Sequence, residues 1–207
     1  PWGKDAKVAA AMDTMMDRQV GEITALLKKL GIYNNTLMFF TSDNGAAKRF
    51  DGIHNSCGVM QGHKRSLNEG GIRVPMVVRW PGKIKPGTES NQPWYFPDVM
   101  PTLAEIAGVS KEVPKDIDGI SVLPSLLGKG EQKQHEYMYW QFGVRAVRSG
   151  KWKGIGKGGH LYLYDLTKDM AEKNDLSSKH PEIAAKLKTY ITEGYREPRS
   201  QKDDGKY

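Results

Sequence analysis

A single cysteine and the lack of any long apolar run set the first limits on this chain. Cys57 has no second cysteine with which to form an internal disulfide, and one cysteine says little about compartment. No stretch approaches the ~20 apolar residues of a membrane span, so none is expected. Residues 1–30 also lack the charged, apolar and small-residue order of a signal peptide. A start at Pro1-Trp2 rather than Met points to a processed, proteolysed or truncated beginning. There is no arginine-rich helix and no interleaving of aromatic and basic residues, so nucleic acid is not an expected partner. The net charge of +7, from 31 basic and 24 acidic residues, is spread along the chain as a solvated lysine-rich surface. It is compatible with an anionic substrate but does not require one. A mean hydropathy of −0.60 suits a modest core, and 207 residues allow one large domain or one and a half ordinary ones.

What is present centres on Thr36-Leu-Met-Phe-Phe-Thr-Ser-Asp-Asn-Gly45. Leu37–Phe40 do not alternate polar with apolar, which predicts a strand covered on both faces. Ligands of open α/β sheets gather just beyond the carboxyl ends of such strands. Asp43 and Asn44 therefore stand where oxygen ligands for a hard cation belong. Asp-Asn-Gly is equally a tight-turn sequence, and the local chemistry does not choose between the two readings.

Upstream, Val8, Met12, Met15 or Met16, Val20, Ile23, Leu26, Leu27 and Leu30 recur at helical spacing, with Gly31 as the stop. Core packing is the expected use of this stripe, methionines included. Helix followed by buried strand is an αβ unit of a parallel sheet. A second strand is predicted at Val74–Trp80, where Pro75 opens and Pro81-Gly82 closes it. A sheet with strands buried on both faces needs more members than these, so either further strands lie unrecognised in this sequence or they are expected before Pro1.

Residues 46–72 read as a long glycine-punctuated loop, a length often associated with function. It carries His54, Asn55, Ser56, Cys57, His63, Lys64, Arg65 and Glu69. Lys64 taken alone is most simply an exposed lysine. His54 and His63 lack a recognisable metal-ligand spacing, and nothing beside Cys57 marks an activated thiolate. Downstream, Asp98–Gly108 predicts a helix with Asp98 as its cap and Pro101 in its first turn. Residues 109–135 are rich in Pro, Gly and Lys around a short apolar element at Ile120–Leu127. Then come short strand-like runs at Glu136–Phe142, Val144–Arg148, Lys151–Ile155 and His160–Tyr164, separated by glycine turns, which predict a small antiparallel sheet. An amphipathic helix at His180–Ile191 is expected to pack on it. Gly156-Lys-Gly-Gly159 lacks the Gly-Lys-Ser/Thr pattern of a phosphate loop. The expected division is 1–133, 134–195 and a disordered tail at 196–207.

In this order the segments resemble the carboxyl-terminal half of a type I sulfatase, in the alkaline-phosphatase-like superfamily. The resemblance is carried by Asn35–Gly45, by Gly62-His-Lys-Arg-Ser-Leu-Asn-Glu-Gly-Gly-Ile-Arg-Val-Pro75, by Arg79–Gly87, by Asp98–Thr102 and by Leu163–Asp169. It implies an α/β fold: part of a mixed sheet with flanking helices, plus a small C-terminal α+β subdomain. It also implies hydrolysis of sulfate esters, of sulfated sugars or of aryl sulfates. By this resemblance Asp43 and Asn44 match the second pair of Ca²⁺ ligands, with Mg²⁺ the alternative ion, and Lys64 matches the lysine that contacts the sulfate group. His54 falls in a loop expected to line the sugar pocket, and Glu69, Gly70, Gly71 and Arg73 are expected to shape their loop. Members of the family use a formylglycine made within Cys/Ser-x-Pro/Ala-x-Arg, and no Cys or Ser of this sequence begins that motif. The expectation is therefore a fragment lacking its nucleophile and its N-terminal half, inactive alone. The compartment implied is periplasmic, secreted or lysosomal. Two other readings stand beside this one: a phosphatase or phosphonate hydrolase of the same superfamily, and a non-catalytic carbohydrate-binding module.

Overall fold

A computed structural model describes residues 2–50 and 53–197 and divides the chain into two compact units. The first comprises the residues before Asp43 together with Pro75–Gln134. The second comprises Asp43–Val74 and the residues from His135 onward. The tail expected at 196–207 lies, from Pro198 on, outside the described residues.

In the first unit, helix α1 spans Lys4–Lys29. It ends as its sequence dictates: Ile32 N–H bonds back to Leu27 O across Gly31, which adopts φ +71°. The apolar stripe exists but is not used as expected. No residue of α1 is buried among the described residues, and Met12 is 53% exposed. Strands β1 (Met38–Thr41) and β2 (Met76–Arg79) form a two-stranded antiparallel sheet, with Phe39 opposite Val78. This corrects the expected parallel unit and the expected double burial, since Phe40 is exposed and its neighbours in β1 are only half-buried. The physical reason is that β2 is the one strand paired with β1 among the described residues.

Helix α2 (Glu69–Ile72), a single turn, belongs to the second unit. Helix α3 (Val99–Ile106) follows a 3₁₀ turn at Phe96–Asp98. Asp98 is fully buried, but it does not cap α3 with its side chain. Its carboxylate accepts from Tyr95 N–H at 3.0 Å and from Ile120 N–H at 2.9 Å, tying the 3₁₀ turn to the next connection. Thr102 continues this seam: its hydroxyl donates to Asp98 O and accepts from Val122 N–H, just before the short helix α4 (Leu123–Leu127).

The second unit is built on a four-stranded antiparallel meander, β3 (Met138–Phe142), β4 (Val144–Ser149), β5 (Trp152–Lys157) and β6 (His160–Asp165). Gly158 and Gly159, both at positive φ, make the two-residue β5–β6 turn. Helix α5 (Pro181–Glu193) covers one face, where Leu187, Tyr190 and Ile191 meet Val147, Leu161 and Leu163. Period-2 alternation leaves Ala146, Ile155 and Tyr164 on the other face, and there they meet Leu67 from the 43–74 segment. That segment is not loop throughout: Glu69–Ile72 form a single helical turn, α2.

Candidate active site

The 43–74 segment is folded on itself by backbone bonds rather than by regular structure. Gly45 N–H donates to Gly71 O at 2.9 Å, Lys64 N–H to Ala46 O at 2.8 Å, and Gly70 N–H to Gln61 O at 2.8 Å. Close approach explains the glycines. A Cβ on Gly45 would stand 1.8 Å from Gly70 O, and one on Gly71 would stand 2.1 Å from Ser66 O. Any side chain at either position would force the two strips of backbone apart.

This folding brings two of the candidate groups together. Asp43 and Asn44 immediately precede Gly45, and the backbone of Lys64 is bonded to the residue just after it. The side chains of Asp43 and Lys64 are exposed, and Asn44 is half-buried. His54 sits in the separate turn after Ile53, exposed and at φ +53°. Cys57 lies inward and donates from Sγ to Gly70 O at 3.6 Å, a structural use of the thiol.

For a metal, Asp43 and Asn44 offer a carboxylate and an amide oxygen side by side, the donor chemistry that Ca²⁺ takes. A Ca²⁺ cage needs about six to eight oxygens, and no group of three or more His, Cys, Asp or Glu that could hold a metal occurs among the described residues. The pair fits one side of such a site.

Sequence reasoning missed the charged cluster beneath this segment. Lys153, on β5, is 0% exposed. Its Nζ donates to Glu69 Oε1 at 2.8 Å and lies 3.0 Å from Glu172 Oε1, near enough to pair but outside hydrogen-bond geometry. Glu172 Oε2 accepts from Glu69 N–H at 2.7 Å. Arg73 Nη1 reaches Glu69 Oε2 at 3.4 Å from the surface side. Burial pushes the Glu172 carboxyl above its ordinary 4.5, against the downward pull of Lys153 and of the Glu69 N–H. Burial likewise lowers the Arg148 guanidinium pKa, with Glu69 opposing and Arg73 reinforcing. The signal in the sequence was faint: a lysine at an inward position of a strand, between Trp152 and Gly154-Ile155.

Two other features of the second unit involve none of the candidate residues. His160, Asp175 and Ser177 have the composition of a hydrolytic triad. However, Asp175 at 2.9 Å and Ser177 at 3.4 Å both address the same ring nitrogen, Nε2, so the imidazole does not relay between them. Asp175 serves structure instead. Burial alone would raise its carboxyl, but the N–H of Leu163, the His160 ring and Ser177 together hold it down at about 2. A groove of about 370 Å³ lined by Arg145, Lys157, His160 and Lys188 among others contains none of the candidate residues.

Comparison with known proteins places this geometry in a family. Residues 8–109 match the description "Sulfatase", and residues 61–197 match "N-sulphoglucosamine sulphohydrolase, C-terminal". The chain belongs to the sulfatase family, and its fold is a part of the alkaline-phosphatase-like one. It is 34% identical over 204 residues to N-acetylgalactosamine-6-O-sulfatase of Bacteroides thetaiotaomicron, covering 83% of this chain and 39% of that protein. It is 43% identical over 132 residues to rat steryl-sulfatase, covering 60% of this chain and 22% of that one. Among solved structures it is similar to Ps i-CgsB in complex with k-i-k-neocarrahexaose, with a TM-score of 0.80 at 29% identity, over 93% of this chain and 44% of the other. The chain thus spans less than half the length of these relatives.

Proposed function

We propose that this chain is the carboxyl-terminal part of a sulfuric ester hydrolase acting on sulfated carbohydrates, and that Asp43, Asn44 and Lys64 are its share of the active site. The observation that supports this most is the bond from Lys64 N–H to Ala46 O, which sets an exposed cation and two oxygen donors on one backbone scaffold. Lys64 would meet the sulfate oxygens and offset the charge that grows on them as the ester bond breaks. Asp43 and Asn44 would hold one side of a Ca²⁺ ion, or Mg²⁺ in its place, and His54 would line the sugar pocket. A formylglycine and the bound cation would supply, respectively, the nucleophile and polarisation of the sulfate. Both the formylglycine and the remaining cation ligands are assigned to an N-terminal half outside this sequence. The sulfated-sugar substrate class is taken from a relative named N-acetylgalactosamine-6-O-sulfatase and from a similar structure solved in complex with k-i-k-neocarrahexaose. The periplasmic, secreted or lysosomal placement is likewise a proposal, and among the described residues no helix is long and apolar enough to cross a membrane.

The test has two parts. The purified 207-residue chain should release no sulfate from aryl or sugar sulfates; turnover, single or multiple, would overturn the division of the site. Calorimetry should find only weak Ca²⁺ binding, and micromolar affinity would argue against a half-site. In the whole protein, matched aryl sulfate and phosphate esters separate a sulfatase from a phosphatase, and Lys64→Ala should lower kcat/KM by about 100-fold.

A further inference from the structure

We infer that Lys153 is a positioning residue for the candidate site, holding Asp43–Asn44 and Lys64 in register through Glu69 and Glu172. The inference rests on the assignment of Asp43, Asn44 and Lys64 proposed above. A lysine on the inner face of a strand, wholly removed from water, needs a reason, because its charge must be compensated where it lies. Apolar residues could fill the same volume with comparable or greater stability. What the ions add is direction, since a charge-assisted bond fixes its partners in angle and distance where an apolar contact does not.

The bonds run in one direction, from the sheet to the site. Lys153 on β5 holds Glu69, 84 residues away in sequence. Glu69 opens α2, and its own N–H is held by Glu172 Oε2 from 103 residues further on. Glu172 adopts φ +52°, a left-handed conformation that is unfavourable for a non-glycine residue. That cost is tolerated where the side chain must reach its partner. From α2, Gly71 O receives Gly45 N–H, the amide next to Asn44. Gly70 N–H donates to Gln61 O, and the Gln61 amide, turned so that its nitrogen faces them, reaches the carbonyls of Ala171 and Glu172 at 3.1 Å each. Gln61 leads through Gly62 and His63 to Lys64. Both halves of the candidate site, the oxygen donors and the cation, are therefore suspended from the turn that Lys153 and Glu172 clamp.

Hydrogen exchange of individual amides, followed by NMR on the chain and its variants, tests this. In Lys153→Met the amides of Gly45 and Lys64 should lose protection by on the order of 100-fold, while Val147 and Leu163 in the sheet change by less than about threefold. Glu172→Gln keeps an acceptor for the Glu69 N–H and leaves Lys153 paired with Glu69, so it should retain near-normal protection at both site amides. Ca²⁺ titration followed at the Asn44 amide should shift that signal in the unaltered chain and in Glu172→Gln, and should shift it at least about tenfold more weakly in Lys153→Met. Normal protection of Gly45 and Lys64 in Lys153→Met overturns the inference. So does equal loss of protection across sheet and site in Lys153→Met, whether or not Glu172→Gln shows it too, which makes the cluster a support of the whole unit. A Ca²⁺-silent unaltered chain with the exchange contrast intact would instead overturn the metal assignment and leave the clamp standing.

Discussion

The two faces of the C-terminal sheet are held by different means. One is covered by α5, whose Leu187, Tyr190 and Ile191 bury against Val147, Leu161 and Leu163. The other is covered by the 43–74 segment, with Leu67 packed on Ala146, Ile155 and Tyr164 beside the Lys153–Glu69–Glu172 cluster. The helix face needs only apolar area, and many sequences would supply it. The loop face needs particular charges at particular atoms, and it is the face that carries the candidate site. Generic burial suffices for support, while directed ionic contacts are used where backbone must be placed.

The sharpest way to break that contrast is Lys153→Met. Leaving Glu69 and Glu172 buried without Lys153 should cost roughly 3–5 kcal/mol, taken up as opening of the 43–74 segment and read as lost protection there and as an early, separate transition in chemical denaturation while the sheet stays folded. Replacing all three charges with apolar residues should recover much of this loss, because desolvation of the ions offsets most of their attraction. Failure of the triple replacement to recover stability would mean that the ions contribute net stability as well as direction.

Leu187→Ala should come next, at about 3 kcal/mol from lost burial and the cavity left behind, read from the same denaturation curves. Leu187 is 1% exposed, so little relaxation is available. The hydrogen-exchange pattern at Gly45 and Lys64 should stay normal, in contrast to the lysine variant.

Acid should act on both faces but with opposite signs. Asp165 is held at about 2, first by its bond with Lys151 and then by Thr167, and Asp175 is also at about 2, both below the ordinary 3.8. Their stabilisation is complete above about pH 4 and is lost as pH falls towards 2. Glu172 is raised instead, so its contribution is present at low pH and is lost as pH rises above the ordinary 4.5. Thermal melts should therefore fall between about pH 4 and 2, and Asp175→Asn should flatten that fall, whereas Glu172→Gln should leave it unchanged and remove the loss that sets in above about pH 4.5.

The smallest effect belongs to α1. It is written in the same amphipathic pattern as α5, yet Met12 and Met15 are about half exposed. Met12→Ala or Met15→Ala should change the stability of this chain by less than about 0.5 kcal/mol. A cost near that of Leu187→Ala would show that the stripe is buried in solution.

The C-terminal meander and α5 were legible from the sequence because their signals are local. Glycines mark the turns, apolar residues alternate along the strands, and a proline opens a 3.6-period helix. The helical character of α1 was legible for the same reason, down to the stop at Gly31. Its burial was not, because periodicity fixes which residues share a face and says nothing of what covers that face. The antiparallel pairing of β1 with β2 was not legible on similar grounds: an apolar run reports an expectation of burial, and pairing depends on a partner elsewhere in the chain. Within the candidate site, Asp43 and Asn44 stood out by residue type and by family resemblance, and Lys64 by the resemblance alone. The close backbone contacts of Gly45 with Gly70 and Gly71 did not, since glycine spacing in a loop does not reveal which carbonyl it must admit.

By itself, then, the sequence determined most of the local elements, the family and the candidates for holding a cation and meeting an anion. Only the tertiary structure decided that Lys153 and Glu172 reach the turn bearing Glu69, and that Gly45 and Lys64 are bonded into one scaffold. The physical reason is separation along the chain. A hydrogen bond across 84 or 103 residues leaves no periodic trace, because it fixes one pair of atoms rather than a repeating face.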